Sequence, residues 1–378
     1  MPMQTAQVSE NDNIQLAYID SGPIPGDTYT TLVCVHGHSY HAQNFSRLFP
    51  LAQKYNLRIF ALNRRDYTGS TPYTRAELDT LTGSDEDARL QFLKARGLEI
   101  ARFLVWVITE KKIPQISADG TSGGLAVLGW SLGNVTTMAF LSYLSTYPQE
   151  VIETLGPFLR TFFIYELPGN SLGFPEPEGR YHALEDNTVQ ERMRGIIFGQ
   201  WVSSYYAHPA YTSDPPIPAQ DRSITSLQIR VPKKPYRTCT LDTLTPRDLL
   251  TSVDIAPGTR SERPLWRLPN SLLLAQTCGA LFLGPRTSSS QLDMASEHDG
   301  VGGSTLLPAI KVRVIYGHAS LWTVQWETWA LEKECAKWEA ESQSLRPIKF
   351  IPVKDANHFL HWDDAETFLN ICVEGIRA

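Results

Sequence analysis

A serine between two glycines is the first part of this sequence that could carry out chemistry. Ser131 lies in GWSLG (129–133), between the apolar run LAVLGW (125–130) and a segment of helical character. On a sharp strand-to-helix turn, flanking glycines avoid collisions with neighbouring backbone, and the serine hydroxyl stands above the sheet. The pattern predicts a nucleophile that attacks a carbonyl group, with the backbone N–H of Leu132 directed at the developing oxyanion. The alternative is a serine that caps a helix between two glycines.

Two histidines near the C-terminus could supply the base that such a serine needs. His358 lies in a loop after the apolar run IKFIPV (348–353), where its ring can project over a sheet. His361 is expected to enter the last helix and to act as a wall or capping residue. His358 is therefore the predicted general base.

A second donor for the oxyanion is expected in the loop HGH (36–38), which follows the run TTLVCV (30–35). Gly37 permits a tight turn, and the backbone N–H of His38 is the predicted donor. His36 ends the preceding strand, and we expect its role to be structural.

These loops must be positioned by regular elements, and strand-like and helix-like segments alternate through the first 167 residues. The pattern predicts a mostly parallel sheet with helices on both faces. The predicted strands are 14–19, 30–35, 57–62, 125–130, 161–167, 312–317 and 348–353, and the predicted helices are 87–109, 133–147, 322–340 and one from about residue 364.

The alternation is lost between residues 168 and 309. A break of this length is too long for a loop, so a folded insertion is expected, with helices at 189–206 and 269–283. The predicted organisation is an α/β core of residues 1–167 and 310–378 with a lid of residues 168–309.

Composition excludes several classes of function. The 378 residues include 34 Lys and Arg against 40 Asp and Glu, a net charge of −6 without a basic stripe, so nucleic-acid binding is not expected. The longest apolar run, FLVWVI (103–108), is too short to cross a bilayer, and the polar N-terminus shows no secretory signal. Five scattered cysteines favour reduced thiols and hence a cytoplasmic protein. We also expect a monomer or homodimer without membrane contact.

The motifs and their order resemble the α/β-hydrolase superfamily. HGH corresponds to the oxyanion loop, NRRDYTGS (63–70) to the loop after the fourth strand, GWSLG to the nucleophile elbow and NHFLHW (357–362) to the histidine loop. The resemblance covers about residues 10–168 and 310–378, and the insertion occupies the lid position. NRRDYTGSTPY also resembles uncharacterised fungal members, some of them associated with secondary metabolism. The resemblance implies a serine hydrolase that uses no cofactor and no metal ion.

The resemblance leaves the acid of the catalytic triad open. In the family a carboxylate usually follows the seventh strand, where this chain has Ser320. Glu166 ends the run TFFIYE (161–166), beside the strand that leads to Ser131. A carboxylate directly after an apolar run is costly to bury without a partner, so Glu166 is the predicted acid. The alternative is that it only pairs with an arginine of the lid.

Other carboxylates are weaker candidates for this acid. Asp363 and Asp364 follow His358 closely but are expected to face solvent. Glu297 and Asp299 lie in the lid segment SEHDG (296–300), which is not expected to reach the sheet and could alternatively suggest a metal site.

The expected reaction is acyl transfer through an acyl-enzyme, with a small-molecule acyl substrate. The absence of an aspartate nucleophile argues against epoxide hydrolysis and dehalogenation. Aromatic residues predict an apolar pocket for a bulky, polyketide-like ester, lactone or thioester, although they could equally form the core of the lid. These residues are Trp130, Trp201, Tyr205, Tyr206, Tyr211 and Trp266. C–C bond cleavage, cyclisation or another acyl transfer by the same triad remains open, as does a non-catalytic binding protein.

Overall fold

One eight-stranded sheet lies at the centre of the computed structural model, which describes residues 2–9, 13–283, 306–307, 309–341 and 343–378. Its order is β1-β2-β4-β3-β5-β6-β7-β8; β1 and β2 are antiparallel to their neighbours and the other strands pair in parallel. The strands are β1 Gln4–Ser9, β2 Ile14–Asp20, β3 Thr30–Val35, β4 Leu57–Leu62, β5 Leu125–Trp130, β6 Leu159–Tyr165, β7 Lys311–Gly317 and β8 Ile348–Val353. The predicted mostly parallel sheet is confirmed.

The sheet is buried on both faces. Along β3, Val33 and Val35 belong to one apolar cluster, while Leu32 and Cys34 belong to the cluster on the opposite face. Because successive side chains of a strand point to opposite faces, a strand covered on both sides reads as a continuous apolar run. This explains why β3, β4 and β5 begin and end where the apolar runs do. The sequence analysis missed β1, an edge strand whose first residues are exposed.

Helices cover the sheet and fill part of the insertion. They are α1 Arg75–Thr82, α2 Glu86–Lys111, α3 Gly133–Ser142, α4 Gln149–Leu155, α5 Glu191–Ser203, α6 Pro209–Thr212, α7 Thr240–Thr243, α8 Pro246–Ser252, α9 Arg263–Trp266, α10 Asn270–Leu281, α11 Trp322–Ala340, α12 Leu360–Asp363 and α13 Ala365–Arg377, with a π-helix at Gly258–Glu262 and a long 3-10 helix at Ala42–Leu51. None of the helices in the described ranges is both long and apolar enough to cross a membrane.

One helix prediction needs correction. The helix expected over 133–147 ends at Ser142, and a 3-10 turn follows. The preceding helix, α2, runs unbroken through Gly97. A Cβ at Gly97 would lie 2.4 Å from the hydroxyl oxygen of Tyr147 and 2.7 Å from the carbonyl carbon of Ala139. The glycine therefore lets α2 pack closely against α3.

The described part of the insertion, residues 168–283, is joined to the core by a set of charged and polar contacts that we call the polar seam. Arg64 forms a buried ion pair with Glu262 at 2.5 Å, and Tyr67 donates a hydrogen bond to the same carboxylate at 2.8 Å. Asp66 pairs with Arg260 at 2.6 Å and accepts a hydrogen bond from the Ser261 hydroxyl. The segment SEHDG (296–300), with Glu297 and Asp299, lies outside the described residues.

Candidate active site

Ser131 stands on the turn between β5 and α3, in a left-handed backbone conformation with φ of +53°. A Cβ at Gly129 would lie 2.2 Å from the hydroxyl oxygen of Thr137, and one at Gly133 would lie 2.4 Å from the carbonyl oxygen of His36. Both distances are far below van der Waals contact, so only glycine fits at either position. Such a strained turn with glycine on both sides is the geometry of a nucleophile elbow.

Two backbone N–H groups beside Ser131 could bind an oxyanion. A Cβ at Gly37 would lie 2.6 Å from Cβ of Ser131, so the loop after β3 comes very close to the serine. The N–H groups of Leu132 and His38 both have no hydrogen-bond partner within the described residues. A substrate oxygen bound there would receive two donors that the fold has already oriented.

The loop after β3 is held by Arg64. Its guanidinium donates to the carbonyl oxygens of His36 and Gly37, both at 3.0 Å. Its backbone N–H donates to Nε2 of His36, and burial lowers the pKa of this histidine well below its ordinary value, so the ring is neutral. His36 therefore fixes the loop, as its predicted structural role requires.

Glu166 and His358 form a buried pair at the edge of the sheet where Ser131 stands. Oε2 of Glu166 lies 2.8 Å from Nδ1 of His358, inside the range expected for a hydrogen bond between base and acid. The carboxylate also accepts a hydrogen bond from the backbone N–H of Gly317 at 2.6 Å and another from the Ser320 hydroxyl. Ser320, at the position where the family usually has its acid, thus contacts the glutamate that lies on β6.

The strand order explains how these residues meet. Ser131 follows β5, Glu166 follows β6, and Ser320 and His358 follow β7 and β8. Because these neighbouring strands are parallel, their carboxyl ends lie at one edge of the sheet. Side chains that are 192 positions apart in the chain, such as Glu166 and His358, therefore come into contact.

Ser131 and His358 line the same cavity. The carboxylate engages Nδ1 of His358, so Nε2 is the ring nitrogen that can take a proton from the serine. A hydrogen bond between Ser131 Oγ and His358 is not formed within the described residues. Nucleophile and base are often farther apart without substrate than during the reaction.

The other candidates for base and acid lie elsewhere. Nε2 of His361 lies 2.7 Å from the side-chain oxygen of Asn44, and its ring is fully buried outside the cavity lining, so it forms part of the supporting structure. The expectation that Asp363 faces solvent is wrong, because its carboxylate accepts hydrogen bonds from the hydroxyls of Tyr205 and Thr240 in the insertion. Asp364 is exposed and caps α13.

The cavity around Ser131 is narrow, about 40 Å³, which is enough for a few water molecules. A larger substrate therefore requires its walls to move. It is lined by His38, Ser131, Leu132, Pro168, Gly169, Glu176, His182, Leu184, Phe198, Trp201, Val202, Trp266, Leu321, Thr323 and His358. Within the described ranges, no group of three or more His, Cys, Asp or Glu side chains is arranged to hold a metal ion.

Trp201, one of the predicted substrate-binding residues, lines this cavity, but Trp130 and Tyr205 do not. The indole N–H of Trp130 donates to the backbone oxygen of His358 at 3.0 Å, so this tryptophan holds the loop that contains His358. The hydroxyl of Tyr205 is bonded to Asp363. Both aromatics therefore contact residues around the site and lie outside the lining of the cavity.

Tyr206 and Tyr211 also lie outside the cavity lining, whereas Trp266 lies in it. Sequence reasoning missed the other lining residues, among them Phe198 and His182. Neither stands in a motif, and no signal in the sequence distinguishes them from the core of the insertion.

No protein-family model matches the sequence, and no curated protein does. Among solved structures, the bromoperoxidase from Bacillus anthracis superposes with a TM-score of 0.50 at 12% identity, covering 100% of both chains. Together with the eight-stranded sheet, this full-length match decides the fold. The chain has the α/β-hydrolase fold.

Other solved α/β-hydrolases are similar at lower scores. Epoxide hydrolase A from Mycobacterium thermoresistibile matches with a TM-score of 0.48 at 13% identity, over 100% of this chain and 98% of that one. The esterase EaEST from Exiguobacterium antarcticum matches with a TM-score of 0.45 at 10% identity, over 97% of each chain.

Proposed function

We propose that this protein is a serine hydrolase that cleaves an ester, lactone or thioester through an acyl-enzyme. The observation that carries the proposal is the buried contact of 2.8 Å between Glu166 and His358, beside a serine on a strained, glycine-flanked turn. Nucleophile, base and orienting acid are the three groups that such chemistry needs.

The reaction begins with proton transfer from Ser131 Oγ to Nε2 of His358 as Oγ bonds to the carbonyl carbon. The carbonyl oxygen becomes an oxyanion and accepts hydrogen bonds from the N–H groups of Leu132 and His38. As the intermediate collapses, the bond to the leaving group breaks and the imidazolium gives its proton to that group. Water then attacks the acyl-enzyme with His358 again as base, which frees the acid and restores Ser131.

Glu166 serves this reaction in two ways. It accepts a hydrogen bond from Nδ1–H of His358, so the neutral ring has its lone pair on Nε2, where it can take the proton of the nucleophile. It also stabilises the positive charge that the ring acquires in each step. Gly317 and Ser320 hold the carboxylate in place through two further hydrogen bonds.

The same contacts argue against the alternatives. A serine nucleophile does not suit epoxide hydrolysis, although some of the similar structures are epoxide hydrolases. A binding protein would gain nothing from a carboxylate and an imidazole buried together, since such groups are costly to desolvate. A histidine that is held by a buried carboxylate and shares a cavity with a serine is instead characteristic of catalytic sites.

Residues 168–309 are proposed to form a lid on an α/β core of residues 1–167 and 310–378. Support comes from Trp201 and Trp266, which belong to the insertion and line the cavity with Ser131. Substrate choice would then depend on the insertion. The resemblance of NRRDYTGSTPY to fungal proteins of secondary metabolism supports a polyketide-like acyl substrate.

Labelling with a fluorophosphonate probe tests the proposal. The parent protein should label at Ser131, found by mass spectrometry of the peptides, and should hydrolyse p-nitrophenyl esters. S131A should lose both properties while its far-UV circular dichroism is unchanged. The matched control is S204A, because the hydroxyl of Ser204 only bonds to a carbonyl of α5. Labelling of S131A at parental strength would refute the assignment.

A further inference from the structure

His182 is a partly buried histidine that lines the cavity and that the proposed reaction does not use. It precedes the short 3-10 helix Ala183–Glu185, and its Nδ1 accepts a hydrogen bond from the backbone N–H of Leu184 at 3.3 Å. Burial lowers the pKa of His182 to about 3, so the ring is neutral. A neutral imidazole has one proton, and because Nδ1 is an acceptor, that proton is on Nε2.

The ring of His182 is fixed among aromatic side chains. It stacks on Trp266 with 4.1 Å between ring centroids and meets Trp201 edge-on at 4.9 Å. All three residues line the cavity that contains Ser131. The Nε2–H group has no hydrogen-bond partner within the described residues. The cavity therefore contains an oriented hydrogen-bond donor in an apolar wall.

A second imidazole in the same wall is also incompletely bonded. Nδ1 of His38 lies 2.7 Å from the Ser39 hydroxyl, while its Nε2 is buried and unpartnered in the described part of the chain. The rings of His38 and His182 both lie near the ring of Phe198, with centroid distances of 5.1 Å and 5.9 Å. A buried polar atom without a partner costs about 1–3 kcal/mol, a cost that a polar group of a ligand removes.

The charges around the cavity indicate a neutral ligand. No Lys or Arg is among its described lining residues, and the one lining carboxylate, Glu176, pairs with Arg180 at 2.9 Å. Neutral imidazoles can donate a hydrogen bond to a carbonyl or ether oxygen but cannot offset the charge of a carboxylate or phosphate.

We propose that the substrates are neutral esters with an aromatic ring that carries an oxygen acceptor, bound against the aromatic lining of the cavity once its walls have moved apart, with the oxygen accepting from Nε2–H of His182. This inference rests on the proposed serine hydrolase function and assigns its substrate class. His182 is a specificity residue in this view and takes no part in bond making or breaking.

Matched substrates separate this role from catalysis. On the acyl side, p-nitrophenyl 4-acetylbenzoate is compared with p-nitrophenyl 4-isopropylbenzoate, which has the same shape without the oxygen. On the alcohol side, 4-acetylbenzyl acetate is compared with 4-isopropylbenzyl acetate. Each kcat/KM is divided by the rate constant for alkaline hydrolysis of the same ester, which removes the electronic effect of the acetyl group. We expect this normalised kcat/KM to favour the acetyl compound about tenfold in one of the two pairs, the effect of one neutral hydrogen bond in an apolar site.

Three variants identify the responsible atom. H182F keeps a ring that can stack on Trp266 but has no nitrogen. H182N keeps an acceptor near Nδ1 for the Leu184 N–H but has nothing at the position of Nε2. H182Q places an amide N–H near Nε2. The preference within a pair, which is the readout, should fall to about one in H182F and H182N and return in part in H182Q.

Different results would contradict the role of His182 and the proposed hydrolase function. Equal normalised kcat/KM within both pairs for the parent, or a preference that H182N retains, would overturn the role of His182 while hydrolysis itself continued. Absence of hydrolysis of all four esters, or their undiminished hydrolysis by S131A, would overturn the proposed function instead. If H182F does not fold, as judged by its melting curve, H182N decides the question.

Discussion

Replacement of Glu166 by Gln should nearly abolish activity, because the surroundings of this side chain determine how an amide would be oriented. Oε1 accepts the Gly317 N–H at 2.6 Å, whereas Oε2 faces Nδ1 of His358. In Glu166→Gln the amide oxygen would take the position beside Gly317, and the NH₂ group would donate to Nδ1. The imidazole proton would then move to Nε2, which could no longer accept the proton of Ser131.

The size of the effect follows from these contacts. The reversed amide would set its NH₂ against the Gly317 N–H and leave both donors unpaired in a buried site, at a cost of about 1–3 kcal/mol. Even that minor orientation lacks the negative charge that stabilises the imidazolium. We therefore expect kcat to fall by about 10⁴-fold, or roughly 5 kcal/mol in activation free energy.

The assay is hydrolysis of a p-nitrophenyl ester at pH 8, with thermal unfolding as the test for intact structure. Asp363→Asn and Asp364→Asn are matched controls, because both remove a carboxylate near His358 in sequence, and they should retain activity. Adding Ser320→Asp to Glu166→Gln should recover part of the rate, since the Ser320 side chain already reaches the glutamate. A Glu166→Gln rate within tenfold of the parent, together with a large loss in either control, would refute the reasoning.

Three further substitutions test other parts of the structure. Gly133→Ala should prevent folding or abolish activity, because its Cβ would lie 2.4 Å from the carbonyl oxygen of His36; normal expression, melting and turnover would contradict this. Glu262→Gln should lower the free energy of unfolding by about 3–5 kcal/mol in urea titrations, since Arg64 would keep a buried charge without its partner; an unchanged midpoint would count against a buried pair. Burial raises the pKa of Glu327 to about 8. As the pH rises, this carboxyl is therefore deprotonated in the unfolded chain before it is deprotonated in the fold, and the free energy of unfolding falls between about pH 4.5 and pH 8. Glu327→Gln should remove this loss, worth roughly 3 kcal/mol at pH 7, and leave stability at pH 4 nearly unchanged; equal effects at both pH values would show that Glu327 is not neutral in the fold.

The sheet could be predicted from the sequence because a strand that is buried on both faces shows a recognisable pattern over a few adjacent residues. A strand such as β3 needs an unbroken apolar run, and the turn at Ser131 needs glycine on each side. A partner for Glu166 was expected by a related argument, since a carboxylate directly after a buried strand requires one, and the structure pairs it with His358. Each of these signals comes from a few adjacent residues, which is why sequence alone was enough.

Contacts between segments that are far apart in the chain have no such local pattern. Trp130 and Trp201 are both large buried aromatics, and only the fold shows that one supports the His358 loop while the other lines the cavity. His182 contacts Trp266 across the insertion, a partner that no local pattern could indicate. In the same way, NRRDYTGS could be matched as a motif, but the partners of its charged residues became visible only in the structure.

The polar seam has a consequence for how this protein can change. Arg64 and Asp66 belong to the core, and their partners Glu262 and Arg260 belong to the insertion, close to the loop that holds the His38 amide. A foreign insertion grafted onto this core would leave a buried guanidinium and carboxylate unmatched and would disturb the oxyanion loop. The two parts are therefore not interchangeable modules. New specificities would arise by substitutions within the existing insertion, or by recombination that transfers the loop of residues 63–68 with it.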